Sequence, residues 1–161
     1  MTPRIFKLIA PLVDLTCTRE VAIYTCMLIG FHLLLRRMNL VPEKVDGFDS
    51  RKQLQCGSLR RYRDTFLVEI SFTKTIQFGE RTLTFPLLTN KVQAMCPALW
   101  LSRLITAFPC PEEGPLFAYP DPKKLGKVRS VTAYELITQM RKWLPKVQIQ
   151  IQKSFIVPYM F

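Results

Sequence analysis

The chain has 161 residues, enough for one domain of ordinary size. With 48% hydrophobic and 11% aromatic residues it can build a core, which excludes a disordered tail. Lys and Arg outnumber Asp and Glu by 23 to 12, giving a net charge of +11 and a pI of 9.7; this balance points to nucleic acid, with an anionic membrane surface or no anionic partner at all as the alternatives.

The first 17 residues read as a mixed lead-in. Thr18 stands as an N-cap before Arg19 and Glu20. The spacing then predicts a helix through the uncharged run Val21–Leu35 to about Met38, stopped by Pro42. This helix is apolar nearly all round and so belongs at the centre of the fold. Residues 43–64 read as polar and irregular, with turn pairs at Asp46–Gly47, Asp49–Ser50 and Gly57–Ser58. The segment is also basic, carrying Lys44, Arg51, Lys52, Arg60, Arg61 and Arg63.

Residues 66–72 (FLVEISF) read as a strand. Two alternating runs, 73–77 and 81–85, flank Phe78–Gly79–Glu80 and predict a β-hairpin that Pro86 ends. Pro97 opens a helix that runs to about Phe108 and closes before Pro109 and Pro111. Gly114–Pro115–Leu116–Phe117 turns into a short apolar piece, followed by a basic loop with Lys123, Lys124, Lys127 and Arg129. Thr132-x-x-Glu135 is a capping box for a helix over 133–144, ended by Pro145. The tail 146–161 alternates as VQIQIQ and reads as a strand. There is no internal repeat and no low-complexity linker. The fold class is α+β: mostly helical, with a small antiparallel three-stranded sheet.

Five cysteines, at 17, 26, 56, 96 and 110, include no C-x-x-C pair, and His32 is the only histidine. A tetrahedral zinc site needs four N or S ligands at short paired spacings, so no structural metal and no other cofactor is expected. The odd, scattered set also argues against a secreted disulfide framework. Reduced, mostly buried thiols in a nuclear or cytoplasmic protein are the expected state. Val21–Leu35 is shorter than the roughly 20 residues a spanning helix needs, so a core helix is expected there and no membrane partner.

Several segments carry a resemblance. Residues 33–42, with Arg36, Met38, Asn39, Leu40 and Pro42, resemble the R-x-S-[EN]-L segment of tyrosine recombinases of the phage-integrase type. They are closest to the eukaryotic retroelement form, LR-x-S-N-L-x-P. Residues 71–81 (SFTKTIQFGER) are similar to that family's WSKTIQFGER hairpin. Cys96–Pro97–Ala98–Leu99, then Pro115–Leu116–Phe117, then 132–136 (TAYEL) are similar to the pieces that follow, in the family's order and spacing. The resemblance covers about residues 20–145 and leaves 146–161 as a divergent tail. It implies that residues 1–161 form one incomplete recombinase catalytic domain.

The resemblance implies Arg36 as the first catalytic arginine, a bidentate fork for phosphodiester oxygens in a charged transition state. It implies Lys74 as the hairpin lysine that protonates the leaving hydroxyl. On residue chemistry alone, Arg36 reads as a cation closing a helix C-terminus and Lys74 as a solvated strand lysine. The sequence departs from the family at Met38, Phe72 and Thr73, where the pattern has Ser, Trp and Ser. No His-x-x-Arg box follows the last helix, and Tyr159 does not sit in a nucleophile-like context. Covalent catalysis needs its groups together, so the chain alone is not expected to cleave or rejoin DNA. Duplex DNA binding through Arg36, Lys74, Arg60, Arg61 and Arg63 is the first expectation. The alternative is an interaction protein in which a partner covers the exposed C-terminal side.

Overall fold

The computed structural model describes residues 2–71, 82–124 and 126–156. The fold is α+β, as the sequence predicts. Its central element is α2 (Thr18–His32), whose residues 21–29 are all buried. Nine consecutive buried residues, all but Thr25 predominantly apolar, leave the middle of this helix no solvent face, so other elements must enclose it.

The lead-in is a helix after all. α1 (Pro3–Ile9) begins with Pro at its first turn and buries Phe6 and Ile9, then tightens into a 3-10 turn over Ala10–Leu12. Pro3 supplies the φ that the first helical turn requires and has no N–H to leave unpaired. α4 (Pro97–Ala107) packs along α2, with Trp100, Leu101 and Leu104 buried. Tyr24 of α2 joins these elements. Its ring lies 4.3 Å from Trp100, 5.9 Å from Phe6 and 6.4 Å from Trp143. Its hydroxyl sits between the carbonyls of Ala94 (2.7 Å) and Phe6 (3.1 Å) and donates to them.

α2 ends earlier than predicted. Leu34 takes a left-handed φ of 52°, and the amide of Leu35 donates to the carbonyl of Gly30 at 3.0 Å. This is a Schellman stop, which usually uses glycine at the left-handed position. Because leucine stands there, the sequence gives no stop signal. The chain then turns into α3 (Arg37–Leu40). A Cβ on Gly30 would lie 2.5 Å from Leu40 Cδ1, so this glycine permits the close return of α3 onto α2.

The three-stranded sheet has the order β1 (Leu59–Tyr62), β2 (Thr65–Ile70), β3 (Leu83–Leu87), all antiparallel. Its composition differs from the sequence reading. β1 comes from the segment read as irregular, and the predicted strand 73–77 lies outside the described residues. Pro86 lies within β3, paired with Leu67, instead of ending it. β3 is an edge strand, where a residue without an N–H is tolerated. The basic loop after Phe117 also holds a hairpin, β4 (Ala118–Pro120) and β5 (Val128–Ser130).

α5 (Ala133–Ile156) runs through Pro145, correcting both the predicted stop and the predicted tail strand. Pro inside a helix costs roughly 3 kcal/mol against Ala. The burial of Trp143 and Val147, one turn apart, offsets that cost by holding α5 against the core. The capping box forms as read: Thr132 N donates to Glu135 Oε2 at 3.0 Å, and Glu135 N donates to Thr132 Oγ1 at 3.3 Å. Glu135 does more than cap. Its Oε1 lies 3.5 Å from both Arg19 of α2 and Arg129 of β5, and it accepts from the Tyr119 hydroxyl of β4. Gln139, one turn on, donates to Glu20 of α2 at 2.9 Å.

Burial pulls the Glu135 carboxyl upward, but the hydrogen bonds from Tyr119 and Thr132 and the charge of Arg129 outweigh it, so the group titrates below its ordinary value of 4.5. A depressed carboxylate stabilises the fold above the unfolded pKa and loses that contribution as pH falls through the folded one. Glu135→Gln is therefore expected to cost about 2–3 kcal/mol at neutral pH, since it leaves two part-buried arginines without their carboxylate. It should also flatten the loss of stability below about pH 4.5. Urea unfolding at neutral and acid pH reads both effects; equal stability of the two proteins at neutral pH would contradict this role.

Candidate nucleic-acid interface

Arg36 sits at the N-cap of α3, in extended backbone, immediately after the Leu34 turn. It is exposed, and its side chain has no partner among the described residues. Arg37 differs: it forms a hydrogen-bonded ion pair with Glu43. Met38, at the family's Ser position, is half exposed and adds no hydroxyl. Asn39 is buried, and Leu54 N donates to its carbonyl at 3.2 Å. Gln53 Nε2 donates to the Met38 carbonyl at 2.9 Å. These bonds stitch the Arg36 segment to the basic loop at 51–54.

Asp49 organises that loop. Its carboxylate takes the Arg51 amide at 3.0 Å and the Arg51 Nε at 3.2 Å, and it lies 3.2 Å from Lys52 Nζ. The hydrogen bonds from Arg51 hold the Asp49 carboxyl down at about 2. A polar cleft of about 30 Å³ opens beside it, lined among others by Leu35, Asn39, Arg51, Lys52, Glu69 and Ser71. That volume holds a water or two and no nucleotide. The cleft is a notch in a basic surface: Leu35, which lines it, adjoins Arg36 in the chain, and Ser71, which also lines it, precedes residues 72–81. Lys74 falls within that segment, outside the described residues.

The sheet separates the arginine cluster. Side chains alternate along β1, and Arg61, across from Phe66, shares a face with buried Val68. It lines a second cavity beneath the sheet edge. Arg60 takes the opposite face, where its Nε meets Glu69 Oε1 at 2.8 Å. Glu69 also lines the polar cleft, so Arg60 stands on the Arg36 side of the molecule. Arg63 occupies the turn between β1 and β2 at φ 53°, its guanidinium 5.5 Å from the Tyr62 ring centre. The structure thus brings Arg51 and Lys52 to one cleft, with Arg36 next in the chain to its Leu35 and Arg60 paired to its Glu69, and places Arg61 at another cavity. In the sequence Arg51, Lys52, Arg60 and Arg61 fall in a segment that reads as irregular, and Arg36 near the end of a long helix; LRRY over 59–62 does not alternate, so β1 carries no strand signal of its own.

Among the described residues no group of His, Cys, Asp and Glu is arranged to hold a metal ion, and no helix is long and apolar enough to cross a membrane. The His32 imidazole lies 3.1 Å from the Met95 carbonyl, joining the end of α2 to the turn before α4. All five cysteines are free. Only Cys26 and Cys96 are buried, where mostly buried thiols were expected; the other three are half-buried at loops and element ends. Comparison with known protein families, with curated proteins and with solved structures finds no match for the chain.

Leu34 sets the direction in which the chain enters Arg36. It is 88% exposed, so little packing is lost when its side chain is removed. Left-handed backbone costs a non-glycine residue roughly 1 kcal/mol. Leu34→Gly is expected to raise the unfolding free energy by about 0.5–1 kcal/mol, measured by urea denaturation. A loss of stability would mean that the Leu34 turn is not the strained stop described above.

Proposed function

We propose that this chain is a DNA-binding core of tyrosine-recombinase descent that does not cleave DNA by itself. The observation that carries the reading is Arg36, exposed and without a side-chain partner among the described residues, next in the chain to Leu35 of a polar cleft that Arg51 and Lys52 also line. Convergence of an arginine fork and a hairpin lysine on one phosphodiester is what the resemblance implies. Arg51, Lys52 and Arg60 widen the same surface, and the net charge of +11 favours a polyanion over a neutral partner. Arg36 would grip two phosphate oxygens, and Lys74 would meet the same strand as a point charge. Arg61, beneath the sheet edge, and Arg63, at the hairpin turn, would contribute at most peripheral phosphate contacts.

A protein-partner reading has less support. Leu34, Leu88 and Tyr134 are strongly exposed, but each comes from a different element, and single exposed apolar residues are ordinary.

Duplex DNA binding by the intact chain, measured across a salt series, tests the reading. Binding should weaken steeply with salt, and the double variant Arg36→Ala, Lys74→Ala should lower the log–log slope by about 2. No binding at low salt by folded protein would overturn the DNA reading. A covalent adduct with a nicked suicide substrate would overturn the claim that the chain does not cleave alone.

A further inference from the structure

We propose that Cys56 and Cys110 form a redox-active dithiol site, open to a cavity of about 360 Å³, that closes to a disulfide on reaction with a small anionic disulfide. The two residues are far apart in sequence, and a backbone seam brings them together. Leu116 N donates to Leu54 O at 3.0 Å, Cys56 N to Gly114 O at 3.0 Å and Gly57 N to Glu112 O at 2.7 Å. Gln55 and Pro115 form an antiparallel bridge between these bonds. Both thiols then converge on one oxygen: the Pro115 carbonyl accepts from Cys110 Sγ at 3.5 Å and from Cys56 Sγ at 3.9 Å. A Cβ on Gly114 would lie 2.5 Å from Cys110 Sγ, so the missing side chain is what admits the sulfur.

The pair is asymmetric. The contact between the two thiols lowers Cys110, against burial, and together with burial raises Cys56. Within this site Cys110 takes the attacking role and Cys56 the resolving role. Leu59, Phe66 and Ile105 give the cavity apolar walls, and Arg61 supplies a cation beside Glu112. That lining offers Arg61 to a carboxylate and Glu112 to an ammonium group, and oxidised glutathione, which is anionic overall, carries both.

The chemistry balances with that oxidant. The Cys110 thiolate attacks one sulfur of the small disulfide, forming a mixed disulfide and expelling one thiolate. Cys56 then loses its proton to water and attacks the Cys110 sulfur, expelling the second thiolate. The protein loses two hydrogens and two electrons, and one small disulfide becomes two thiols. Cys26 and Cys96 are buried and out of reach of this reaction, and Cys17 lies outside the cavity lining.

The test uses the intact chain in oxidised-glutathione buffer, followed by alkylation under denaturing conditions and peptide mass spectrometry. The expected product is a linked peptide pair containing Cys56 and Cys110, with Cys17, Cys26 and Cys96 still alkylated. Cys56→Ser should accumulate glutathione on Cys110, and Cys110→Ser should take up glutathione severalfold more slowly than Cys56→Ser. Oxidation of Cys17 ahead of Cys110 would overturn the proposal. So would wild-type protein that stops at a mixed disulfide on Cys110 with Cys56 still free, an outcome that needs no variant to fold.

Discussion

The fold depends on burying α2 on every side. A helix with nine consecutive buried residues cannot rest on one neighbour, so α1, α4, α5 and the β4–β5 hairpin surround it. Such a core has few ways to lose precision, because each neighbour is fixed by at least one specific contact. Tyr24 is the clearest case. Burial raises its pKa and keeps the hydroxyl neutral, so it serves as a donor to backbone on two other segments while its ring packs against Trp100. Thr25 follows the same rule, its hydroxyl donating to Val21 O at 2.7 Å within the helix.

The second constraint is electrostatic. Glu135 sits where α2, β4, β5 and α5 meet, and its carboxylate gathers two arginines, a tyrosine and its own N-cap. Tyr119 responds in the opposite sense: burial and the adjoining carboxylate push its hydroxyl up to about 12, so it remains protonated and donates. The network orients α5 against α2 and holds Arg19 and Arg129 in a contact within the fold, unlike Arg36. That distinction matters for a chain with net charge +11, because the two arginines are committed to the fold.

What was legible in the sequence follows from how local each signal was. α2 was readable because Val21–Leu35 is long and uncharged, and α4 because proline marks both its start and the segment beyond its end. The capping box was readable because Thr132 and Glu135 bond each other. The failures lie where tertiary contacts overrode local preference. Leu34 ends a helix in a conformation that leucine disfavours, held by the return of Leu40 onto Gly30. Pro145 fails to end one because Trp143 and Val147 on either side are buried. Arg36 and Lys74 were chosen by resemblance, and nothing in their immediate chemistry distinguishes them from solvated cations. The Cys56–Cys110 pair was invisible because neither residue carries a spacing motif; only the seam between Leu54–Gly57 and Glu112–Leu116 joins them.

The position of that seam bears on the basic surface. Cys56 lies on the segment that enters β1, so the backbone that fixes the sulfur also fixes the start of the strand carrying Arg60 and Arg61. The two arginines leave on opposite faces, one toward Glu69 and the polar cleft, the other toward the cavity that holds the thiols. A covalent link at Cys56 would act on the register of β1 through its first residues, Leu59 and Arg60, whose partners on β2 are Val68 and Leu67. Val68, which is fully buried, anchors the partner strand at that point. The sheet thus sets the thiol cavity and the Arg60–Glu69 pair on opposite faces, joined through the first residues of β1.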